Sequence, residues 1–196
     1  ATPGTYHVVA TSNSDPTKTA TATVTVVALP TITSFTALPT TINRGATSTL
    51  TAAFPAGITG SINNGIGAVS SGSGVSTPAL TATTIYTLTV TNAAGATLPG
   101  TLTVTVNPVA VSVSPTPVTL SVSTNQTFTA TVTGAVDTSV AWSVLEGASG
   151  GSVTAGGVYT ASATPGTYHV VATSNSDPTK TATATVTVVA LPTITS

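Results

Sequence analysis

Charged side chains are almost missing from this sequence. Its 196 residues include three Lys or Arg and four Asp or Glu, 4% of the chain, against roughly 25% in an ordinary soluble domain. The formal net charge is −1. Without a basic patch, the sequence excludes both the phosphate neutralisation on which nucleic-acid binding depends and an electrostatic anchor on an anionic membrane.

Cysteine and methionine are absent altogether. The lack of cysteine excludes disulfides and Cys-ligated metals, and it leaves no thiol to oxidise outside a cell. No apolar run approaches the roughly 18 residues of a membrane span, and no signal peptide is recognisable. The sequence starts in the middle of a pattern and without Met, so we expect it to be an excerpt of a longer chain.

About one residue in four is Thr, and Thr alternates with Val, Ala or Leu over 19–26, 84–91, 101–106 and 127–132. A period of two is typical of half-buried strands, in which β-branched side chains fit the pleated surface. Helical spacing is missing, so the sequence predicts an all-β protein. The inward-facing side chains predicted from the alternation are Ala20, Ala22, Val24, Val26, Tyr86, Leu88, Val90, Leu102, Val104, Val106, Phe128, Ala130 and Val132.

An internal repeat sets the organisation. Residues 1–34 recur without a change at 163–196, so one period is the segment 1–162. Drift erodes duplicated segments, so perfect identity indicates recent duplication or continuing homogenisation in an array. Within the period, 4–13 resembles 84–93, so each period holds two related domains.

The predicted boundaries follow from these echoes. Residues 1–27 are the C-terminal strands of a first domain type, 28–107 a complete domain of a second type, and 108–189 a complete copy of the first. Residues 190–196 begin the second type again. An isolated two-stranded hairpin is marginal in water, so we expect a preceding segment or a neighbouring subunit to complete residues 1–27.

Short joints connect the predicted domains, at 26–30 and 106–109. Each contains a proline, which fixes its own φ and restricts the preceding residue. The sequence therefore predicts stiff joints and domains stacked end to end in a rod or filament.

Three aromatic positions favour an immunoglobulin-like sandwich over a barrel. Trp142 lies on the inward face of a mid-domain strand, where such a domain keeps the core Trp of strand C. Tyr168, with its copy Tyr6, and Tyr86 begin the penultimate strands. That is the tyrosine-corner position, where the hydroxyl binds upstream backbone.

Longer motifs resemble the bacterial immunoglobulin-like domains of secreted and surface proteins. Residues 157–161, 165–168 and 172–174 read Gly-Val-Tyr-Thr-Ala, Pro-Gly-Thr-Tyr and Ala-Thr-Ser, while 61–67 and 84–92 resemble another branch of that group. The resemblance implies an extracellular or cell-surface location and tandem arrays that act as stalks, spacers, adhesins or filaments. Fold alone does not fix function.

The search for chemistry predicts no catalytic, metal or cofactor site. His7 and His169 are one repeat position on the outer face, and we interpret them as solvated because no Cys, Asp or Glu lies at ligand spacing. Asp137 and Glu146 flank the Trp142 strand near its opposite ends, which excludes a general acid/base pair. Acidic residues are missing from both joints, so interdomain Ca²⁺ is not expected.

The remaining charged residues are assigned to turns. Asp15 and Asp177 precede Pro, Lys18 and Lys180 sit in a polar turn before a strand, and Arg44 follows Asn43 in a turn as a solvated charge. The position of the two lysines argues against an intramolecular isopeptide bond. These residues therefore predict no chemistry.

Sugars are the one open ligand class. Asn125-Gln126-Thr127 matches a glycosylation sequon, O-glycans on outward Thr are a hypothesis, and Tyr159 is the candidate aromatic for a sugar-binding face.

Three functions remain, all non-enzymatic. The first is an extracellular structural stalk, fibre or filament whose chargeless rods associate with copies of themselves. The alternative is the stalk of a cell-surface adhesin whose binding domain lies outside this sequence. The third is a spacer or carbohydrate-binding module of a secreted enzyme.

Overall fold

The computed structural model describes residues 2–192, which form nineteen strands and one short 3-10 helix. The first ten strands are β1 (Gly4–Thr11), β2 (Thr19–Val26), β3 (Ser34–Leu38), β4 (Thr41–Ile42), β5 (Thr49–Ala53), β6 (Thr59–Ile62), β7 (Gly67–Val69), β8 (Gly74–Ser76), β9 (Thr84–Thr91) and β10 (Thr97–Val106). The other nine are β11 (Ala110–Ser114), β12 (Val118–Ser121), β13 (Asn125–Thr127), β14 (Thr129–Thr133), β15 (Val140–Val144), β16 (Gly151–Val153), β17 (Val158–Ala161), β18 (Gly166–Ser174) and β19 (Thr181–Val189). The helix is Gly147–Gly150.

The chain divides by packing into two units. The first contains residues 2–40, 48–77 and 84–104, and the second contains 41–47, 78–83 and 105–192. The predicted domains 28–107 and 108–189 stay predictions, and most of the predicted start of a further domain, 190–196, lies outside the described residues.

In the first unit, β9 lies between β10 and β6, and β7 extends that sheet beyond β6. A second sheet has the order β3-β5-β8. The strands β1 and β2 form a separate antiparallel hairpin. The buried side chains of the two larger sheets include Leu50, Ala52, Ile62, Tyr86, Leu88, Val90 and Val104.

The second unit has the strand order of an immunoglobulin constant-type sandwich. One sheet runs β19-β18-β15, with β12 added in parallel at the β19 edge, and matches strands G, F and C. The pairs β11-β14, β13-β17 and β17-β16 correspond to A-B, B-E and E-D of the other sheet. The core between them contains Phe128, Tyr159, Ala161, Val170, Ala184, Val186 and Val188.

The alternation of the sequence matches the observed faces of β9 and of residues 128–132. It is wrong for β2, where the predicted inward residues Ala20, Ala22 and Val24 are exposed, because the β1-β2 hairpin pairs with no other strand among residues 2–192. Tyr86, Leu88 and Val90 are buried along β9, while the Thr residues between them are only half-buried. Phe128 and Val132 are buried and Ala130 is half-buried between them. The prediction of an all-β, immunoglobulin-like chain is therefore confirmed by the strand order of the structure.

Trp142 lies on the inward face as predicted and packs against the core of the second unit, but it is only half-buried. The reason is its strand: β15 is the edge of its sheet, with β18 on one side only. The predicted position of Trp142 on the inward face of strand C is therefore confirmed, and the edge position of β15 leaves the side chain half-buried.

Candidate functional site

His169 and Glu146 form an ion-pair geometry that the sequence did not predict. His169 Nδ1 lies 2.6 Å from Glu146 Oε1, and the His169 backbone N–H donates to Oε2 at 3.0 Å. Glu146 follows the end of β15, and His169 lies in β18, the neighbouring strand. The interpretation of His169 as a lone solvated side chain is therefore wrong, because strand pairing brings an acid to it from 23 residues away.

The electrostatics of Glu146 follow from this contact. Partial burial raises the pKa of Glu146, but hydrogen bonds from the His169 ring and backbone N–H outweigh that effect and leave the pKa below its ordinary value. Both side chains are about one-third exposed or less. The pair therefore stabilises the ionised carboxylate within the fold.

His7 occupies the same repeat position without an acid. Its Nδ1 shares a 3.3 Å hydrogen bond with the Thr23 hydroxyl of the adjacent strand, and the residue is exposed. The described residues place no carboxylate on the His7 ring, so the prediction of a surface His holds for this copy alone.

Arg44 is a structural donor and not the solvated charge that was predicted. It is half-buried in the second unit, where Nε donates to the Ser176 carbonyl at 2.9 Å and Nη1 donates to the Thr81 carbonyl. Its backbone N–H donates to Gly134, and its own carbonyl accepts from Val136. The forked guanidinium thus joins three separate segments of this unit.

Aspartates close turns, as the sequence predicts. Asp177 Oδ1 accepts hydrogen bonds from the backbone and hydroxyl of Thr179, at 3.1 and 2.7 Å. Asp15 makes the same two bonds with Thr17 at 3.0 and 2.6 Å, and Asp137 makes them with Ser139. These hydroxyl and backbone donors hold the pKa of each aspartate below its ordinary value. Lys18 and Lys180 are exposed and end these turns.

The tyrosine corner is confirmed at one repeat position and not at the other. Tyr168 donates to the Thr164 carbonyl at 3.0 Å, and Tyr6 donates to the Thr2 carbonyl at 2.8 Å. The Tyr86 hydroxyl is buried, and among residues 2–192 it has no hydrogen-bond partner. Burial raises the pKa of Tyr86.

Tyr159 belongs to the core. Its side chain is 0% exposed, its hydroxyl donates to the Gly150 carbonyl at 2.6 Å, and its ring meets Phe128 edge-on at 6.1 Å. A sugar-stacking aromatic must be accessible, so Tyr159 cannot line a sugar-binding face.

An apolar cleft of about 520 Å³ lies within the first unit, lined by Pro3, 26–29, Thr31, 55–58 and residues 92–93. Its amide side chain, Asn92, is already engaged: Nδ2 donates to the Ala28 carbonyl at 2.6 Å, and Oδ1 accepts from the backbone of Ala94 and Ala96. The cleft therefore offers a ligand no free amide to orient it.

Metal-binding and membrane-spanning features can be described for residues 2–192. In that range no three His, Cys, Asp or Glu side chains come together in a group that could hold a metal ion. The same residues include no helix with the length and apolar character of a bilayer span.

Asn125 of the sequon is exposed at the start of β13.

Chemically, the His169–Glu146 contact joins a base to the acid that orients it. A catalytic triad needs a nucleophile on the other ring nitrogen, and no described residue hydrogen-bonds to His169 Nε2. Glu146 accepts hydrogen bonds from both the ring and the backbone N–H of His169. The contact can therefore hold β15 and β18 in register.

The chain is similar to several solved structures, but no family model and no curated protein matches it by sequence. Solved structures similar to it include the N-terminal eight Ig domains of Down Syndrome Cell Adhesion Molecule, with 18% identity over 97% of this chain and 28% of that chain, at a TM-score of 0.41. Sidekick-1 immunoglobulin domains 1–5 give 15% identity over 96% of this chain and 45% of that one, also at 0.41.

A 282-residue C-terminal fragment of intimin, solved with the intimin-binding domain of its receptor, is 15% identical over 83% of this chain and 64% of the fragment, at 0.34. The chain thus spans less than two thirds of each of these structures. What its own strand order establishes is that the chain is built from immunoglobulin-like β-sandwich domains.

Proposed function

We propose that this chain is a non-enzymatic, extracellular structural protein whose two-domain repeat, residues 1–162, builds a stiff stalk, fibre or filament. The observation that carries the proposal is the unchanged recurrence of residues 1–34 at 163–196 in a chain of immunoglobulin-like domains. Tandem repeats of one fold make length a function of repeat number, which is what a stalk or filament requires.

Hydrogen bonds within each unit support the stiffness of the joints. In the first unit the Ala28 carbonyl is bound by Asn92, and Pro30 is buried. In the second unit Asn107 donates through its backbone to Ile42 and through its side chain to Asn43, both at 2.8 Å. A joint whose backbone is bonded and restricted by proline has few conformations available.

Low charge supports self-association as the partner interaction. Soluble domains ordinarily keep mixed surface charge to resist association, whereas this chain carries three basic and four acidic side chains. Arg44, Glu146 and the aspartates are already engaged in internal bonds. Repulsion between copies is therefore weak, and rods can pack side by side.

The experiment that tests the proposal is the denatured mass of the native polypeptide. One period, residues 1–162, makes up most of the 18.9 kDa mass of the chain. A native mass many times larger than this supports one long covalent array. A native polypeptide no heavier than the present chain would contradict it.

The same mass distinguishes a filament from the adhesin alternative. An adhesin would have a mass beyond a whole number of repeat periods, and this excess would be large enough for a binding domain. The third function, a carbohydrate-binding module, loses its candidate aromatic with the burial of Tyr159.

A further inference from the structure

The chain contains the same hairpin twice. The strands β1 and β2 pair from Gly4↔Val26 to Thr11↔Thr19, and β18 and β19 pair in the same register, from Gly166↔Val188 to Thr173↔Thr181. The tyrosine corner and the Asp-Thr turn also recur. Each hairpin is therefore preorganised by its own bonds.

The two copies differ in what covers them. Val170 and Val186 are 0% exposed, whereas their counterparts Val8 and Val24 are 60% and 46% exposed. Ala172 and Ala184 are buried, and Ala10 and Ala22 are exposed. The inward face of β1 and β2 thus leaves in solvent the apolar surface that an identical sequence buries.

Residues 108–161 are what cover the second copy. The strand β12 pairs with β19 through Val118↔Val186 and Leu120↔Val188, and β15 pairs with β18 through Trp142↔Ala172. Side chains from the opposite sheet, including Phe128 and Tyr159, complete the cluster. One segment therefore supplies both edge strands and the facing layer.

From this internal comparison we infer that the inward face of β1 and β2 is a docking surface for another copy of residues 108–161. The sequence itself specifies the occupant. Residues 163–196 are identical to residues 1–34, and residues 108–161 cover the hairpin that 163–196 contain. Burial of the apolar surface drives the association. The inference holds whether the assembled array is a filament or an adhesin stalk.

Glu146 sets the register of this docking. In the covered copy, its carboxylate bonds the ring and backbone N–H of His169 just beyond the end of β15. In the uncovered copy, the ring of His7 bonds to the Thr23 hydroxyl, and no carboxylate among residues 2–192 contacts it. A one-residue slip would turn the wrong face of the strand inward and would move the His side chain away from Glu146. In the correct register, docking should transfer the ring of His7 from the Thr23 hydroxyl to the carboxylate of the docked Glu146 copy.

The test uses the absence of cysteine. Val8→Cys and Val170→Cys are made singly in two chains. The first is the chain 1–196. The second is an extended chain in which a copy of residues 108–162 precedes residue 1, so that the added junction has the same sequence as the natural junction of residues 162 and 163. Alkylation rates of each thiol are measured under native conditions. In the chain 1–196, the thiol at position 8 should react on the order of 100-fold or more faster than that at position 170, because a buried site reacts only through opening of the fold.

In the extended chain, the thiol at position 8 should slow to the rate at position 170. An unchanged rate at position 8, with position 170 still protected, overturns the inference. So does a thiol at position 8 that is already slow in the chain 1–196, because something other than residues 108–161 then covers the face.

Two controls make the result specific. Thr21→Cys lies on the outward face of β2 and should stay reactive in both chains. An extension whose counterparts of Phe128 and Tyr159 are both changed to Asp should leave the thiol at position 8 reactive, because its core cannot form.

Discussion

The ring of His169 and the carboxylate of Glu146 meet at 2.6 Å across two paired strands. The pKa of Glu146 lies below its ordinary value of 4.5 in the folded chain, so as the pH falls the unfolded chain takes up this proton first. The contribution of Glu146 to stability is therefore fully present above about pH 4.5 and is lost as the pH falls through the lowered folded pKa.

Glu146→Gln should lower the free energy of unfolding at pH 7 by about 0.2–1 kcal/mol, the range measured for solvent-exposed ion pairs. The difference from the wild type should be smaller at pH 3 than at pH 7. Urea unfolding at the two pH values measures both quantities. An equal difference at pH 7 and pH 3 would show that the carboxylate charge contributes nothing. His169→Gln removes the ring that bonds Glu146 and should also lower the free energy of unfolding at pH 7. Its matched control, His7→Gln, removes a His without an acid and should leave the free energy of unfolding unchanged.

Two buried tyrosines should respond in opposite ways to loss of the hydroxyl. Tyr159→Phe leaves the buried Gly150 carbonyl without its donor, so we expect a loss of about 1–3 kcal/mol. Tyr86→Phe removes a buried hydroxyl that has no hydrogen-bond partner among the described residues, so stability should stay the same or rise. Denaturant midpoints measure both variants, and a destabilised Tyr86→Phe would mean that its hydroxyl is satisfied in solution.

Arg44→Lys should destabilise the second unit although the charge is kept. A lysine cannot donate in the fork geometry that reaches Ser176 and Thr81 together, and hydrogen bonds to charged groups contribute about 1.5–3 kcal/mol each. Calorimetric unfolding should show a lower transition temperature. Lys180→Ala, which removes an exposed cation from the same unit, should change it little; equal shifts in the two variants would exclude a geometric role for Arg44.

Local patterns predicted the fold well because period-two alternation reports which face a strand buries. That logic placed Tyr86, Leu88 and Phe128 in the core correctly. Alternation carries no information on whether a strand lies at the edge of a sheet or is covered by a second sheet, so it did not indicate that Trp142 is half-buried, and it was wrong for Ala22 and Val24, which are exposed.

Long-range contacts could not be predicted in the same way. Glu146 meets His169 only through the pairing of β15 with β18, and Arg44 reaches Ser176 across 132 residues. A signal for the first did exist: once β15 and β18 are assigned to neighbouring strands C and F, Val144 pairs with Val170, and Glu146 follows shortly after. For Arg44 no pattern in the sequence indicated its partners.

Adjacent glycines test the backbone requirement of a turn. Gly157 has φ +81°, and a Cβ there would lie 2.3 Å from the Phe128 carbonyl oxygen. Gly157→Ala should therefore cost about 1–3 kcal/mol or more. At Gly156 a Cβ would meet only the Thr154 hydroxyl at 3.8 Å, so Gly156→Ala should be nearly neutral. Thermal unfolding compares the two, and similar losses would place the strain elsewhere in the turn.

Charge on the outer faces of the hairpins should disperse lateral assemblies. Thr21 in β2 and Thr183 in β19 are the same repeat position, and both are exposed. Thr21→Glu combined with Thr183→Glu adds two like charges per chain to a surface that has little charge, so sedimentation should show smaller species at low salt. Because exposed charges are screened within about 8 Å at 0.15 M salt and about 3 Å at 1 M, association should return at high salt. Thr21→Ser with Thr183→Ser keeps the hydroxyls and should leave assembly unchanged. Assemblies of undiminished size in the double Glu variant would mean that the rods do not meet through this face.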